Sequence, residues 1–252
     1  MTEDFRNAMT SIYEDNIGGV SLINHMGDDL TLVNSARASL GEVSTEMGDR
    51  EKRLSDFLIR EGHTSTSEHN IATFWIKVPM FVARQHMRHR TFSYNEISRR
   101  YTSSKIEFYL PSSVRMQDTK NRQASLDEVF NPMIEYDPHE FPLFRKLTAT
   151  AALRLQTEKS LSLYEKLIDQ GVAREQARMI LPQNLYTTYW CTGSLHNWVN
   201  SFIAKRDHID AQWEIKLLAR EISRQLSEIW PLAHASYVKH GKIPPLGENS
   251  AT

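Results

Sequence analysis

The sequence predicts an α+β fold in which helices predominate. Residues 210–230 carry apolar side chains at helical spacing, and residues 144–169 do the same before Gly171, a residue typical of the position just past a helix end. Residues 71–78 instead alternate between apolar and polar side chains, which is the period of a half-buried strand. Because no internal repeat or low-complexity segment interrupts the sequence, we expect one mixed helix-and-sheet domain over residues 1–252.

Other elements are expected on the N-terminal side of that strand. Residues 20–22 are predicted to form a short strand after a Gly-Gly turn. Residues 30–61 are predicted to be helical, with Asp49 as an N-cap and Gly62 as a stop signal. The polar residues 63–69 are interpreted either as an N-cap and turn or as a ligand contact.

The elements on the C-terminal side are shorter or less regular. Short helices are expected over residues 79–88 and 173–181. A short strand is expected over residues 107–110. Residues 112–143 are polar and contain several prolines, which indicates a long excursion with one short helix near 124–134. Residues 183–206 mix aromatic and small side chains, and this mixture does not indicate either helix or strand.

The composition is that of a globular protein, without the excess of basic or apolar residues that binding to polyanions or lipid would require. Hydrophobic residues make up 40% and charged residues 24%, and the net charge is −1. A near-neutral chain is not expected to bind nucleic acid. No signal peptide or membrane-spanning run is recognisable, and the single cysteine, Cys191, is typical of a reducing compartment. We therefore expect a cytoplasmic protein, or one of the host cytoplasm if the source is viral.

The most unusual chemistry is concentrated in residues 84–100. This stretch has a net charge of +4, from five arginines and one acid: Arg84, Arg88, Arg90, Arg99, Arg100 and Glu96. Guanidinium groups repel one another unless an anion lies among them, and their planar donors suit phosphate. The alternative is a solvated basic face, although such a face normally contains lysines and compensating acids. The pattern favours an anion site where a helix gives way to a loop.

Other kinds of site find little support in the sequence. His86 and His89 are three residues apart, but no HExxH or CxxC motif accompanies them, so we expect no metal site. Cys191 has no base beside it in sequence, and a buried thiol is a simpler interpretation than a nucleophile. Neither a phosphate-binding loop nor a dinucleotide-binding glycine motif is present. A bound nucleotide would therefore have to be held by side chains.

A signature motif lies inside the arginine-rich stretch. Every fixed position of the pattern RHRxxSxNExSxR is matched by Arg88-His89-Arg90-x-x-Ser93-x-Asn95-Glu96-x-Ser98-x-Arg100. By this motif the chain resembles the flavin-dependent thymidylate synthases. The resemblance extends over roughly residues 20–230 and includes residues 63–68, 77–85, 171–184 and 206–215. It implies the fold of that family, a helix-rich mixture of helix and sheet.

The resemblance also implies an activity, the reductive methylation of dUMP to dTMP. In that family 5,10-methylenetetrahydrofolate supplies the carbon, NADPH supplies electrons and FAD relays the hydride, in homotetramers whose active sites are shared between subunits. By resemblance Arg206 is the catalytic cation, which promotes ionisation of the uracil ring by stabilising negative charge on it. No cysteine nucleophile is needed, and Cys191 lacks the Pro-Cys-His context of the cysteine-dependent enzymes.

The binding residues that the resemblance implies fall into two sets. The dUMP positions correspond to Gln85, Arg88, Glu96, Ser98, Arg99, Arg100 and Arg178, with Arg100 and Arg178 on the phosphate. The FAD positions correspond to Ser65, Arg88, His89, Arg90, Glu96, Ser194, His196 and Asn200. The chain departs from the family pattern near the end of the second set, where Ser194-Leu195-His196 replaces Asn-x-Arg and one extra residue precedes Arg206.

Two other functional classes are compatible with parts of this pattern. A nucleic-acid-binding module would use the arginines on a long polyanion, with strong salt dependence, but the acidic balance of the remaining chain disfavours it. A flavin-binding protein without activity could keep the same signature. The presence of Gln85, Arg178 and Arg206 together favours an active enzyme.

Overall fold

A five-stranded antiparallel sheet forms the centre of the described part of the protein. The computed structural model describes residues 9–102, 105–121, 125–135 and 146–247. The strands are β1 (Thr10–Ser11), β2 (Gly19–Met26), β3 (Ile71–Pro79), β4 (Ser93–Glu96), β5 (Val114–Gln117), β6 (Ser125–Phe130), β7 (Met133–Glu135), β8 (Lys146–Thr148) and β9 (Tyr186–Ser194). The central sheet has the order β1-β2-β3-β9-β4, while β5 pairs with β6 and β7 pairs with β8.

Helices pack around the sheet and complete the fold. They are α1 (Asp29–Arg37), α2 (Asp49–Arg60), α3 (Met80–His86), α4 (Ala149–Asp169), α5 (Arg174–Ala177), α6 (Ala204–Arg206), α7 (Trp213–Ile229) and α8 (Pro231–Lys239). Short 3-10 segments occupy Ala38–Leu40, Thr64–Glu68 and Arg178–Ile180, and a π-helix occupies Asn197–Ile203. None of the described helices combines the length and the apolar character that a bilayer crossing requires. The predicted helix-rich α+β class is confirmed.

The core lies between the central sheet and α7. On β3 the side chains of Phe74, Ile76 and Val78 are fully buried, as their alternation predicts. From α7, Leu218 and Ile222 join the same buried cluster. Burying a side chain of this size stabilises the fold by about 1.5–3 kcal/mol. The core therefore holds β3 and β9 as a rigid frame for the segments attached to their ends.

Several predicted elements are present where the patterns placed them. The strand at residues 71–78 is β3, residues 20–22 lie within β2, and the amphipathic segment 210–230 contains α7. The helix expected at 173–181 is shorter than predicted and consists of α5 followed by a 3-10 turn. The helix expected at 79–88 is also shorter, because the chain turns away after α3 ends at His86.

The prediction of helix over residues 30–61 is confirmed for most of the segment and wrong for residues 41–48. Two helices, α1 and α2, are separated by an irregular segment in which Gly41 has a left-handed φ of 69°. A glycine in that conformation ends a helix because it has no Cβ to clash. Gly48, not Asp49, is the N-cap of α2, and Asp49 contributes its negative charge as the first helical residue. Gly62 follows the end of α2 with φ of 75°, as predicted.

The polar excursion contains strands where a helix was expected. β6 and β7 replace the helix predicted near 124–134, since β6 finds a partner in β5 that local sequence could not indicate. The strand predicted at 107–110 is absent from the described structure, where Phe108 forms an isolated bridge with Leu185. The long helix α4 begins at Ala149, and residues 144–145 of the predicted helix lie outside the described residues.

The central strand β9 was missed in the sequence. It alternates between buried and half-buried positions, but its buried residues include Thr187, Tyr189, Cys191 and Gly193. These residue types weaken the hydrophobic period on which strand prediction depends. Pairing with β3 on one edge and β4 on the other stabilises the strand, so tertiary contacts override the weak local signal.

Candidate active site

The signature motif lies where α3 passes into the edge strand β4. The backbone turns directly after α3, with the His89 amide donating to the His86 carbonyl at 3.0 Å. The Tyr94 hydroxyl donates to the same His86 carbonyl at 2.9 Å and to the His89 carbonyl at 3.0 Å. Since Tyr94 is held on β4 opposite Cys191 of β9, the turn is fastened to the central sheet. The motif therefore has a rigid support although its arginines face solvent.

Three of the five arginines of the stretch take no part in a salt-bridge lattice within the described part of the chain. Arg84, Arg88 and Arg90 are exposed, and the described residues supply none of them with an ion-pair partner. The ion pairs of the described chain lie elsewhere, for example between the buried Arg37 and Glu42 at 2.8 Å. Exposed guanidinium groups without acidic partners are available to an external anion. The structure therefore favours the anion-site interpretation over a self-neutralised basic face.

Three cations and two acids, one of them Glu175, line a single cleft at the end of the sheet where β9 begins. The cleft has a volume of about 420 Å³, and its charged lining side chains include Arg84, Arg99, Arg178 and Glu96. Thr187 Oγ1 also lines it and donates to Glu96 Oε1 at 2.5 Å. The neutral donor and the carboxylate lie beside the cations, a combination suited to a sugar attached to a phosphate.

Four predicted dUMP residues, Gln85, Arg88, Ser98 and Arg100, lie outside the lining of this cleft, and the last two follow β4. The Arg100 guanidinium packs 5.3 Å from the ring centroid of Tyr101 and donates to its hydroxyl at 3.2 Å. Ser98 Oγ accepts from the Arg100 amide at 3.3 Å. Both residues lie in the segment that follows β4. The cations that line the cleft together with Arg178 are Arg84 and Arg99, and Arg100 is not among them.

Arg206, the predicted catalytic cation, is held by His89. Arg206 Nε donates to His89 Nε2 at 2.9 Å, and His89 Nδ1 lies 3.5 Å from Ser201 Oγ. His89 is only 7% exposed, and this burial, together with the nearby positive charge of Arg206, lowers its pKa to about 4. The ring is therefore neutral near pH 7, which lets Nε2 accept from the guanidinium.

Two other predicted dUMP residues interact with Arg206 or with the segment that follows it. Gln85 Nε2 donates to the side-chain carbonyl of Gln212, the N-cap residue of α7. Partial burial and the positive charge of Arg88 lower the pKa of Arg206, which places the Arg88 charge within electrostatic range of Arg206. An anion between these two cations would relieve their mutual repulsion.

The predicted FAD residues outside the motif gather at the opposite end of the sheet. Ile71, at the start of β3, pairs with Ser194 at the end of β9, so the segments before β3 and after β9 are neighbours. Ser65 lies on the exposed side of the 3-10 segment before β3. Asn200 Nδ2 lies 3.0 Å from His196 Nδ1 on the segment after β9.

Cys191 is not placed to act as a nucleophile. Its side chain is fully buried on β9, and burial raises the pKa of its thiol well above the ordinary value. A thiol that stays protonated and is closed to solvent cannot attack a substrate ring. Within the described residues, no cluster of histidine, cysteine and carboxylate side chains is suited to a metal ion.

Sequence reasoning missed four residues of this region. Arg84 and Thr187 line the cleft, while Ser201 and Gln212 contact His89 and Gln85. Arg84 was visible as part of the arginine-rich stretch. Thr187 and Ser201 carried no signal, because β9 and the π-helix that position them were not predicted.

Comparison with known proteins agrees with the motif. The family model described as thymidylate synthase complementing protein matches residues 21–232. A flavin-dependent thymidylate synthase of Thermus thermophilus is 41% identical over 223 residues, which are 88% of this chain and 76% of that protein. One from Thermosipho africanus is 35% identical over 222 residues, or 88% and 91% of the two chains.

The chain belongs to the flavin-dependent thymidylate synthase family. Proteins of this family are enzymes of the methyltransferase class, and the resemblance seen in the signature is thereby confirmed. A solved structure agrees with the fold: the UMP/dUMP methylase PolB of Streptomyces cacaoi, bound with 5-Br dUMP, superposes with a TM-score of 0.74 at 27% identity. The match covers 90% of this chain and 97% of PolB.

Proposed function

We propose that this family member methylates dUMP to dTMP, with 5,10-methylenetetrahydrofolate as the carbon donor, NADPH as the reductant and FAD as the cofactor. The observation that carries the proposal is the cleft in which Arg84, Arg99 and Arg178 lie beside Glu96. Membership of the family and the likeness to a methylase bound with 5-Br dUMP support the same substrate. A nucleoside monophosphate carries an anion and sugar hydroxyls, which suit the cations and the carboxylate of the cleft.

The nucleotide would be bound through groups of different character. Arg178 and its neighbouring cations would neutralise the phosphate, and Glu96 would accept from a sugar hydroxyl. Thr187 donates to Glu96 and so leaves the other carboxylate oxygen for the ligand. In our proposal Gln85 and Arg88 contact the base, and Ser98 and Arg100 contribute from the segment after β4.

Arg206 would activate the uracil ring. Carbon 5 of uracil becomes nucleophilic when negative charge develops on the ring imide and its carbonyl oxygens. A fixed cation beside those atoms stabilises that charge, as preorganised donors do in an oxyanion hole. Arg206 is half-buried, and its pKa, although lowered by burial, starts from so high a value that the group remains charged near pH 7.

FAD would be held by Ser65, Arg88, His89, Arg90, Glu96, Ser194, His196 and Asn200. The residues fit the group: Arg88 and Arg90 are exposed and have no ion-pair partner among the described residues, so their guanidinium groups suit a pyrophosphate, and the amide of Asn200 suits a polar ring edge. When bound, FAD supplies a carrier for two electrons. The absence of a glycine-rich nucleotide loop from the sequence is consistent with binding through side chains.

Three properties of the whole protein belong to the same proposal. The chain acts as one domain, which a buried cluster reaching from Tyr13 to Ile243 supports. It assembles as a homotetramer with active sites shared between subunits, as the resemblance implies. It works in the cytoplasm, where the nucleotide substrate and NADPH are found.

The decisive experiment is dTMP formation by the purified protein supplied with FAD, dUMP and methylenetetrahydrofolate, with and without NADPH. We expect product when flavin and NADPH are both present and little product when either is withheld. Product without either cofactor would indicate a cysteine-dependent route and contradict the proposal. Bound FAD without any product would identify an inactive flavoprotein.

Two substitutions separate catalysis from binding. Arg206→Ala should keep FAD and dUMP binding but lose most dTMP formation, since the charge that stabilises the ionised uracil is gone; removing one such donor typically lowers kcat by about 100- to 1,000-fold. Arg178→Ala should instead raise the dissociation constant for dUMP. Full activity in the Arg206 variant, or an unchanged dissociation constant in the Arg178 variant, would overturn the role given to that residue.

A further inference from the structure

We propose that His89 is a positioning residue that fixes the orientation of the Arg206 guanidinium for catalysis. The proposal rests on the proposed function, because it concerns how Arg206 performs the role given to it there. It assigns His89 a task through Arg206, beyond any direct contact of His89 with the flavin. The main observation behind the proposal is the 2.9 Å hydrogen bond that Arg206 Nε donates to His89 Nε2.

Both ring nitrogens of His89 are engaged, which determines the tautomer. A guanidinium can only donate, so Nε2 must be the acceptor and Nδ1 must carry the proton. Nδ1 faces Ser201, which lies on the π-helix five residues before Arg206. The imidazole is therefore held between two points of one segment, and a π-helix is a common device at functional sites.

The environment of His89 keeps the ring in the accepting state. The ring is buried, with Phe202 edge-on at a centroid distance of 5.3 Å. Burial and the charge of Arg206 both lower the pKa of His89. A protonated ring would turn Nε2 into a donor and repel the guanidinium, so neutrality is a condition of the contact.

The backbone beside Arg206 is anchored independently of His89. The Asp207 amide donates to the Ile203 carbonyl at 2.8 Å, and the buried Asp207 carboxylate accepts from Arg220 Nε of α7 at 3.0 Å. Nε is the side-chain atom of Arg206 that is hydrogen-bonded within the described chain. The two terminal amino groups are thus left for the substrate, and a side chain fixed by its backbone and by its Nε needs little reorganisation during reaction.

The test compares His89→Leu, which removes the acceptor, with His89→Gln, whose amide oxygen can replace Nε2. We expect His89→Leu to lower kcat by up to about 100-fold with little change in KM for dUMP, the scale of misplacing a catalytic group. We expect His89→Gln to recover most of the loss. In an Arg206→Ala background, His89→Leu should cost nothing further, because the two residues act as a unit.

A matched control is available in His234, which is also buried and lies 2.9 Å from Ser223 Oγ. His234→Leu should lower stability without the kcat-specific loss. Equal kcat losses in the two leucine variants, no rescue by glutamine, or an additive loss in the double variant would overturn the proposal. Loss of bound FAD as the sole defect of His89→Leu would also overturn it.

Crystal structures of the two His89 variants test the proposal without turnover. The Arg206 guanidinium should keep its orientation in His89→Gln and lose it in His89→Leu. An unchanged Arg206 in His89→Leu would contradict the positioning role. This readout stays valid if the wild-type protein makes no dTMP, so failure of the proposed function can be distinguished from failure of the inference.

Discussion

At the scale of single residues, some arginines form structural ion pairs, whereas others have no ion-pair partner among the described residues. Arg37 is buried and doubly paired with Glu42 and Glu51 at 2.8 Å, which is a structural arrangement. Arg84 and Arg178 are exposed in the candidate cleft, and the described residues give neither of them an ion-pair partner. Unpaired cations grouped around one cleft are a feature of ligand binding rather than of stability, because their mutual repulsion is relieved only by an anion.

The first residue-scale prediction concerns the thiol of Cys191. Cys191→Ala should retain dTMP formation, because the thiol is fully buried and its raised pKa keeps it protonated. The truncation should lower stability by about 1 kcal/mol, the scale of a lost buried methylene-sized group. The measurement is kcat alongside urea unfolding. Loss of activity in a folded, FAD-bound Cys191→Ala protein would reinstate a thiolate mechanism.

The second residue-scale prediction concerns acid sensitivity. The pKa of His89 is lowered to about 4 in the folded protein from an ordinary 6.5, so between these values the unfolded chain binds a proton that the native state does not. Stability is therefore lost as pH falls from 6.5 towards 4. His86 and His234, whose pKa values are also lowered, act in the same direction.

Replacing His89 isolates its share of this effect. Because His89→Gln cannot titrate, its unfolding free energy should fall less than that of the wild type between pH 7.5 and 5.5. The expected difference is about 1 kcal/mol, from the shift and the energy of a pKa unit. Urea unfolding of both proteins at the two pH values provides the comparison. Equal decreases in the two proteins would show that His89 is not held neutral by the fold.

At the scale of elements, β9 connects the core to the signature motif. It pairs with the buried β3 on one edge and with β4, which carries the motif, on the other. The excursion is also tied to the site region, since Arg115 of β5 forms an ion pair with the buried Glu214 of α7 at 2.8 Å. Glu214 is two residues beyond Gln212, which contacts Gln85. The excursion thereby supports the start of α7 beside the candidate site.

Gly193 offers a test of how tightly β9 packs against the motif. A Cβ at this position would overlap the ring of Phe92. Phe92 is buried, lies four residues after Arg88 in the chain, and has its ring centroid 4.5 Å from that of Trp198. Gly193→Ala should therefore displace the motif turn, destabilise the protein by about 2 kcal/mol and weaken FAD binding. Thermal unfolding and flavin absorbance measure the two effects.

Gly247 supplies the matched control, because an added Cβ there meets no atom within 4 Å. Gly247→Ala should leave both stability and flavin binding unchanged. If Gly193→Ala bound FAD as well as the control does, the packing of β9 on Phe92 would not govern the motif.

At the scale of the whole molecule, the arginine cleft and the predicted FAD residues outside the motif lie at opposite ends of β9. The strand has nine residues and spans about 27 Å at roughly 3.4 Å per residue. Thr187, near one end, borders the arginine cleft, whereas Ser194, at the other, adjoins the segment with His196 and Asn200. Residues so far apart can serve one ligand set if different subunits bring them together, in agreement with the proposed shared sites.

Mixed assemblies test this arrangement. Co-expressed Arg178→Ala and Asn200→Ala subunits should regain part of the wild-type activity, because some sites then receive both intact halves. The pairing of Arg178→Ala with Glu96→Ala should regain none, since both residues line one cleft of one subunit. Equal activity of the two mixtures would argue that each active site is formed within a single chain.

The sequence alone was sufficient for the family and for the strongly periodic elements. The signature motif identified the family from residue type and order, and apolar periods predicted β3 and α7, since both depend on local pattern. The roles of Arg206 and Arg178 stay predictions from the resemblance. Only the tertiary structure decided the position of β9, the strands within the excursion and the contact between His89 and Arg206. These features depend on pairing between residues far apart in the chain: His89 and Arg206 are 117 positions apart, and no local period reports such a contact.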